Sequence, residues 1–363
     1  MNKLLRLLAV CLMGAFATCS IASPRVFETV DYPGAVATYP VAIVGDVIVG
    51  NYLDANNVSH GFALSEGAFT SVDVPDAGSG ARQGTFPIGM SKDMAIAGSY
   101  IDSNNVTHGF SRSRAGAITH IDIPGATSQY IPTIGGIPVP VMGAAGTQVN
   151  GINEVGQIVG SYRTSPYPEF GFLRGFLWSQ GGEITLIDIP GVEFFTVPSA
   201  INEKGEIVGG ASSTPFVHPF YRSSNGEFTS FDVPGALAGI SAGINGKNEV
   251  VGIYFDGKFQ THGFYRSSRG QITTIDPPGS VLTVFIAISE KGVIVGSYLD
   301  ANNVYHGFSR SRDGAFTQID IPGASNTKYG GTSVNAISEE REIVGNYTDM
   351  TGKVHGFVWK RSP

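Results

Sequence analysis

Cysteine is nearly missing from this chain: its two copies, Cys11 and Cys19, both fall within the first 19 residues. Beyond that point disulfides, thiol nucleophiles and cysteine-ligated metals are excluded. Charge is also scarce. Only 15% of residues are Asp, Glu, Lys or Arg, and the 30 acids outnumber the 23 bases to give a formal net charge of −7. That balance argues against nucleic acid or an anionic membrane as a main partner. No window holds a sustained helical period, so helices are not expected. Also missing are a nucleophile elbow, a phosphate-binding glycine loop, a zinc-binding helix motif and a haem attachment motif.

The first 22 residues read as a signal peptide. Lys3 and Arg6 precede an apolar run from Leu7 to Thr18, and Ser20-Ile21-Ala22 offers a small-residue cleavage site. The run is too short for a helical membrane span, and none is expected. Cys19 leaves a lipid-anchored alternative, for which Phe16-Ala17-Thr18 is a poor lead-in. Cleavage would take the formal charge from −7 to −9, since Lys3 and Arg6 go and no acid goes with them. A mature chain of residues 23–363, secreted or periplasmic, would then hold its fold by packing alone.

What is abundant is repetition. The triplet His-Gly-Phe, or a variant, recurs at His60, His108, Arg174, His218, His262, His306 and His355. A second motif, Asp-x-Pro, recurs at Asp31, Asp73, Asp122, Asp188, Asp232, Asp276 and Asp320. Successive aspartates are 42, 49, 66, 44, 44 and 44 residues apart, a spacing typical of solenoids or propellers. Each repeat reads as four short strands. An apolar approach to Ile-Asn or Ile-Ser comes first, then a tight glycine turn, then the Ile-Val-Gly run typified by Ile207-Val208-Gly209. The triplet opens the third strand, and a run such as Phe316-Thr317-Gln318-Ile319-Asp320 forms the fourth. Phe316 and Ile319 have opposite parity, so both faces of the sheet carry apolar groups, as a sheet sandwiched between two others requires. These features predict an all-β fold: a seven-bladed β-propeller of four-stranded blades, forming one domain over residues 23–363.

The two motif series are offset at the ends. Asp31 has no triplet before it, and His355 has no Asp-x-Pro after it. Arg25 to Gly34 matches Gly314 to Gly323 position by position. Residues 25–34 are therefore expected to supply the outermost strand of the last blade and to close the ring.

The lead Gly151-Ile152-Asn153-Glu154-Val155-Gly156-Gln157-Ile158-Val159-Gly160, followed by the triplet, resembles a family of probable extracellular repeats with a His-Ala-Phe signature, the HAF repeats. Here Gly replaces Ala, and Asp-x-Pro-Gly replaces the Leu-Gly-Thr-like ending of many members. The resemblance covers nearly the whole mature chain and implies export and architecture. It implies no reaction.

Copy number weighs against catalysis by the repeated residues, because chemistry needs one asymmetric cluster. Each triplet His is expected to bond an adjacent loop backbone, with Gly allowing close approach and Phe filling the space between blades. The Asp-x-Pro carboxylates are expected to accept backbone N–H bonds at strand ends. Oxygen-rich loops at Asp54, Asp102 and Asp300, each followed by x-Asn-Asn, are weak Ca²⁺ candidates, an Asx-type turn being the simpler reading. No other cofactor is expected.

In a meander, the second-to-third loops and the connections to the next blade share one face. That face is the more acidic and carries the long insertions Ala126–Gln148 and Arg163–Leu173. The opposite hairpins are basic, with Arg112, Arg114, Arg222, Arg266, Arg269, Arg310 and Arg312. Tyr130, Arg163, Tyr167, Glu169 and Phe195 are the candidate binding residues on the insertion face, aromatic rings stacking on a sugar or peptide. His120, outside the triplets, reads as an edge or packing residue. The expected role is a monomeric binding module for a glycan or extracellular protein. An extracellular polysaccharide lyase or hydrolase and a structural surface protein are the alternatives.

Overall fold

The computed structural model describes residues 25–126, 146–164, 173–212 and 216–361. The signal segment, most of both insertions, and with them Tyr130, Tyr167 and Glu169, lie outside the described residues. The described residues are all β, and no helix among them is long and apolar enough to cross a membrane.

After β1 (Arg25–Val30) the strands follow in consecutive antiparallel groups. Unit 1 is β2 (Ala37–Val44), β3 (Val47–Leu53), β4 (Ser59–Ser65) and β5 (Ala68–Ser71). Unit 2 is β6 (Gly84–Met90), β7 (Ile96–Ile101), β8 (Thr107–Arg112) and β9 (Ile118–Ile121). Unit 3 is β10 (Thr147–Ile152), β11 (Ile158–Arg163), β12 (Leu173–Trp178) and β13 (Ile184–Ile187). Unit 4 is β14 (Phe195–Ile201), β15 (Ile207–Ser212), β16 (His218–Arg222) and β17 (Phe228–Ser230). Unit 5 is β18 (Ala236–Ile244), β19 (Val250–Asp256), β20 (Thr261–Arg266) and β21 (Ile272–Ile275). Unit 6 is β22 (Leu282–Ile288), β23 (Ile294–Leu299), β24 (Tyr305–Arg310) and β25 (Phe316–Ile319). Unit 7 has β26 (Gly331–Ile337), β27 (Ile343–Thr348) and β28 (Val354–Arg361).

Burial follows strand order. The second strands β11, β15 and β23 are buried at every residue, because each is covered on both faces by neighbouring sheets. The fourth strands, such as β5 and β13, lie at the exposed outer edge. Every triplet Phe, namely Phe62, Phe110, Phe176, Phe220, Phe264, Phe308 and Phe357, is at most 1% exposed. Each fills the seam to the preceding unit: Phe110 packs with Val49, Val72 and Val74 of unit 1 and its exit. The Ile-Val-Gly glycines make room for these rings. A Cβ on Gly50 would sit 2.3 Å from the Tyr39 carbonyl oxygen and 2.7 Å from Phe62 Cζ.

Bonds between units run along the first strands. Asn153 Nδ2 donates to the Asn202 carbonyl at 2.9 Å, Asn202 to Asn245 at 3.0 Å and Asn245 to Ser289 at 3.1 Å. Each repeated Ile-Asn thus carries a donor that satisfies the next unit's turn.

The two ends of the chain meet. β1 pairs antiparallel with β28 from Arg25↔Arg361 to Val30↔Gly356. The same register joins Ile121 to Gly109, Ile187 to Gly175, Ile275 to Gly263 and Ile319 to Gly307, so β1 takes the place of a fourth strand. Ala37 of β2 also pairs in parallel with Val354, and Asn335 Nδ2 donates to the Pro40 carbonyl at 2.7 Å. Val30, Val344 and Val358 share one core cluster with Ile43, Ile48 and Phe62 of unit 1. A Cβ on Gly356 would lie 2.5 Å from the Val30 carbonyl oxygen and 2.6 Å from Pro40 Cδ, so only Gly fits where three segments converge.

Candidate functional site

The repeated motifs assemble a network in which the triplet His lies between two carboxylates. Its Nδ1 meets the Asp-x-Pro aspartate: His60–Asp73 at 3.0 Å, His108–Asp122 at 2.8 Å, His262–Asp276 at 2.8 Å and His306–Asp320 at 2.9 Å. His355 finds Asp31, from the other end of the chain, at 2.7 Å. Its Nε2 faces a second aspartate, Asp54, Asp102, Asp256, Asp300 or Asp349, at 3.2–3.8 Å. The expected backbone partner for His is therefore corrected to a carboxylate. The reason is register: the aspartate follows the residue paired to the triplet Gly, which brings a carboxylate oxygen to the imidazole, and in two copies the other oxygen also reaches the Gly N–H. Asp73 accepts from Gly61 N at 2.9 Å, and Asp276 from Gly263 N at 3.1 Å, as expected for strand-end aspartates.

The second aspartates form Asx-type turns. Asp54 Oδ1 accepts from Asn56 N at 2.8 Å and Val58 N at 2.9 Å, and Asp102 and Asp300 repeat the pattern. The Val58 N–H holds the Asp54 carboxyl below the usual carboxylate range, against a desolvation penalty and with help from Asn56 and His60. Backbone N–H groups of Gln260 and Val304 do the same for Asp256 and Asp300. At Asp102 burial pushes upward, but Val106, Asn104 and His108 outweigh it. Among the described residues no group of three or more potential ligands could hold a metal ion.

A tyrosine completes each copy. Tyr52, Tyr100, Tyr254, Tyr298 and Tyr347 stand directly across the sheet from a triplet His and stack on it with ring centroids 4.8–5.1 Å apart. Burial pushes the Tyr100 hydroxyl up to about 12, with nearby aspartates adding to it, so this phenol stays protonated near neutrality. The motif Gly-x-Tyr-x-Asp, as in Gly50-Asn51-Tyr52-Leu53-Asp54, carries both the ring and the second aspartate. That signal was available in the sequence and marks Asp256 and Asp349 as well.

The network breaks at units 3 and 4. Arg174 replaces His, placing Nε 3.8 Å from Asp188 and donating from Nη1 to the Val192 carbonyl at 3.0 Å. In unit 4 Ala211 replaces Tyr opposite His218, and Pro219 replaces Gly. His218 keeps Asp232 at 2.6 Å. Phe194 and Phe216, each 40% exposed, flank this seam, and Phe194 N donates to Ser212 O at 3.2 Å. Of the candidate binding residues, Phe195 lies half-buried here, paired with Leu173 and Ser212. Arg163 ends β11 at 5% exposure, and desolvation lowers its pKa. His120 stands on the edge strand β9, its Nδ1 3.0 Å from the Tyr100 hydroxyl.

Loop placement agrees with the meander argument. Arg82 N donates to Asn57 O at 2.8 Å and Tyr329 N to Asn303 O at 2.7 Å, joining second-to-third loops to inter-unit connections on one face. On the other face, a hollow of about 250 Å³ is lined by Lys92, Glu154, Glu339 and Glu340 beside Met90 and Ile337. Two contacts cross between units here: Lys92 pairs with Glu154, and Lys291 donates to the Glu339 backbone carbonyl at 2.7 Å. A groove of about 500 Å³ runs between β1 and unit 1, with Glu28, Asp31, Asp46, Glu66 and Glu342 on its walls.

No protein-family profile and no curated protein sequence matches the chain. Solved structures do. A streptogramin B lyase matches at a TM-score of 0.56 and 12% identity, over 93% of this chain and 98% of that one. The β-propeller domain of the Trilobed protease from Pyrococcus furiosus, described as having an open velcro topology, matches at 0.56 and 9%, over 90% and 96%. An oligogalacturonate lyase in complex with manganese matches at 0.56 and 9%, over 94% and 98%. At such identities the likeness is one of fold alone, and by fold the chain is a β-propeller.

Proposed function

We propose that the chain is a secreted or periplasmic monomer, a seven-bladed β-propeller closed by β1 in the last blade, that binds a glycan or an extracellular protein. The observation that carries the binding reading is where the repeat fails. Where the pattern holds among the described residues, His pairs with Asp and stacks on Tyr in each copy. The departures, Arg174, Ala211 and Pro219, gather at one seam of the loop face, beside the exposed rings of Phe194 and Phe216. Loops are where a rigid scaffold changes without cost to its blades, and exposed aromatic rings are the groups that stack on sugars or peptide side chains. The HAF-like lead and the signal segment support placement outside the cytoplasm.

Purified residues 23–363 applied to a glycan array, with and without EDTA, test this. Binding is expected to survive EDTA and to be lost in a Phe194→Ala/Phe216→Ala double variant that still melts cooperatively. Binding unchanged in that variant would remove the seam as the site. Release of new reducing ends or unsaturated products from a bound polysaccharide would replace the binding reading with the enzymatic one.

A further inference from the structure

The broken copy in unit 4 leaves a socket where the other copies hold a tyrosine ring. In five other units a tyrosine lies flat on the triplet imidazole, and in unit 1 that ring is also covered by Tyr32, the middle residue of the preceding Asp-x-Pro, at 3.7 Å. Two of these tyrosines show where the hydroxyl goes. Tyr100 OH meets His120 Nδ1 at 3.0 Å and Tyr254 OH meets Thr274 Oγ1 at 2.9 Å, and both partners are the residue paired with the triplet Phe.

In unit 4 the tyrosine position is Ala211, opposite His218. The counterpart of Tyr32 is Ile189, and the residue paired with Phe220 is Ser230. Ile189, Ala211, His218, Phe220 and Ser230, with Val192, line a cavity of about 250 Å³. A dry cavity of about 150 Å³ lined by aliphatic and aromatic groups takes up benzene, so one substituted ring fits.

We propose that this cavity binds a small phenol: its ring would stack on His218 beneath Ile189, and its hydroxyl would donate to Ser230 Oγ. The occupant is inferred from the molecule's own repeats, which stack a p-hydroxyphenyl ring on the triplet imidazole five times and place its hydroxyl on the residue paired with the triplet Phe twice. The proposal goes beyond the glycan or protein reading, and either can fail while the other stands.

p-Cresol, a tyrosine side chain cut at its methyl, is the probe for titration calorimetry and ligand-observed NMR on residues 23–363. The expected result is one site with a Kd of about 1 mM, as an untethered single ring supports. Ala211→Tyr should fill the socket, melt at or above the parent temperature and weaken p-cresol by at least about tenfold. Ala211→Leu serves as a second filling variant should the tyrosine not fold. Ser230→Ala should weaken p-cresol several-fold and leave toluene unchanged. N-acetyltyrosinamide separates sources: failure to bind confines the site to free phenols, whereas binding equal to p-cresol would overturn the free-phenol assignment in favour of a peptide side chain. Absence of p-cresol binding in the parent, or equal binding by the filled variants, would overturn the site.

Discussion

Val30 is the residue through which the amino-terminal strand most directly holds the last sheet. It is 3% exposed and packs with Val344 and Val358 of unit 7 and with Ile48 and Phe62 of unit 1. Val30→Ala removes two methyl groups and leaves a small void, costing about 1.5–3 kcal/mol. A domain of this size unfolds with an entropy of about 0.7 kcal/mol/K, so the melting temperature should fall by about 2–4 °C. The register-matched change in an ordinary fourth strand is Ile319→Ala, at a residue that is likewise buried, with an expected cost of about 2–5 kcal/mol. Calorimetry on both variants, with hydrogen exchange on β1 and β28, makes the comparison. If β1 is integral, both substitutions move the same cooperative transition. An unmoved transition for Val30→Ala beside a lowered one for Ile319→Ala would show that β1 detaches before the rest melts, and the reasoning would fail.

Two further outcomes follow from the site geometry. Asp54, Asp256 and Asp300 titrate below their unfolded values, mainly through backbone N–H bonds. Their stabilisation is thus present above the unfolded carboxylate pKa and is lost as pH falls through the folded one. Melting temperature should therefore drop below about pH 4, and Asp54→Asn should flatten that drop; a steeper acid loss in the variant would contradict the assignment. Gly50→Ala should prevent folding, since its Cβ would sit 2.3 Å from a backbone oxygen, whereas Gly67→Ala, with nothing within 4 Å and φ of +78°, should cost only about 1 kcal/mol. Soluble yield and melting temperature read both, and equal behaviour would refute the packing argument.

Much of the architecture was legible because it is written several times. A 44-residue period, apolar groups of both parities and an unmatched motif at each end specify four-stranded units and a returning first strand. The His–Asp pairing was half legible: both residues stand out by recurrence, but their contact depends on strand register, which copy number does not reveal. The Tyr–His stack escaped notice because Tyr52 and His60 are eight residues apart, joined only by a hairpin pairing. Arg163, a candidate at the start of an insertion, is the last residue of β11, a strand buried along its whole length. Ala211 carries no signal by itself. It becomes informative only against five tyrosines in the same register position.

Closure of the ring is the claim on which the rest depends, and a crosslink tests it most directly. Residues 23–363 contain no cysteine, and Val26 pairs with Lys360 across β1 and β28. Paired antiparallel residues lie about 4.5–5.5 Å apart at Cα, within disulfide range. The Val26→Cys/Lys360→Cys variant should oxidise spontaneously into a monomer that runs faster on a non-reducing gel. Its melting temperature should rise on oxidation, because tying off nearly the whole chain is worth up to about 5–6 kcal/mol in the chain-entropy limit. Thiols that stay free in the folded protein, or that form only intermolecular dimers, would contradict the account.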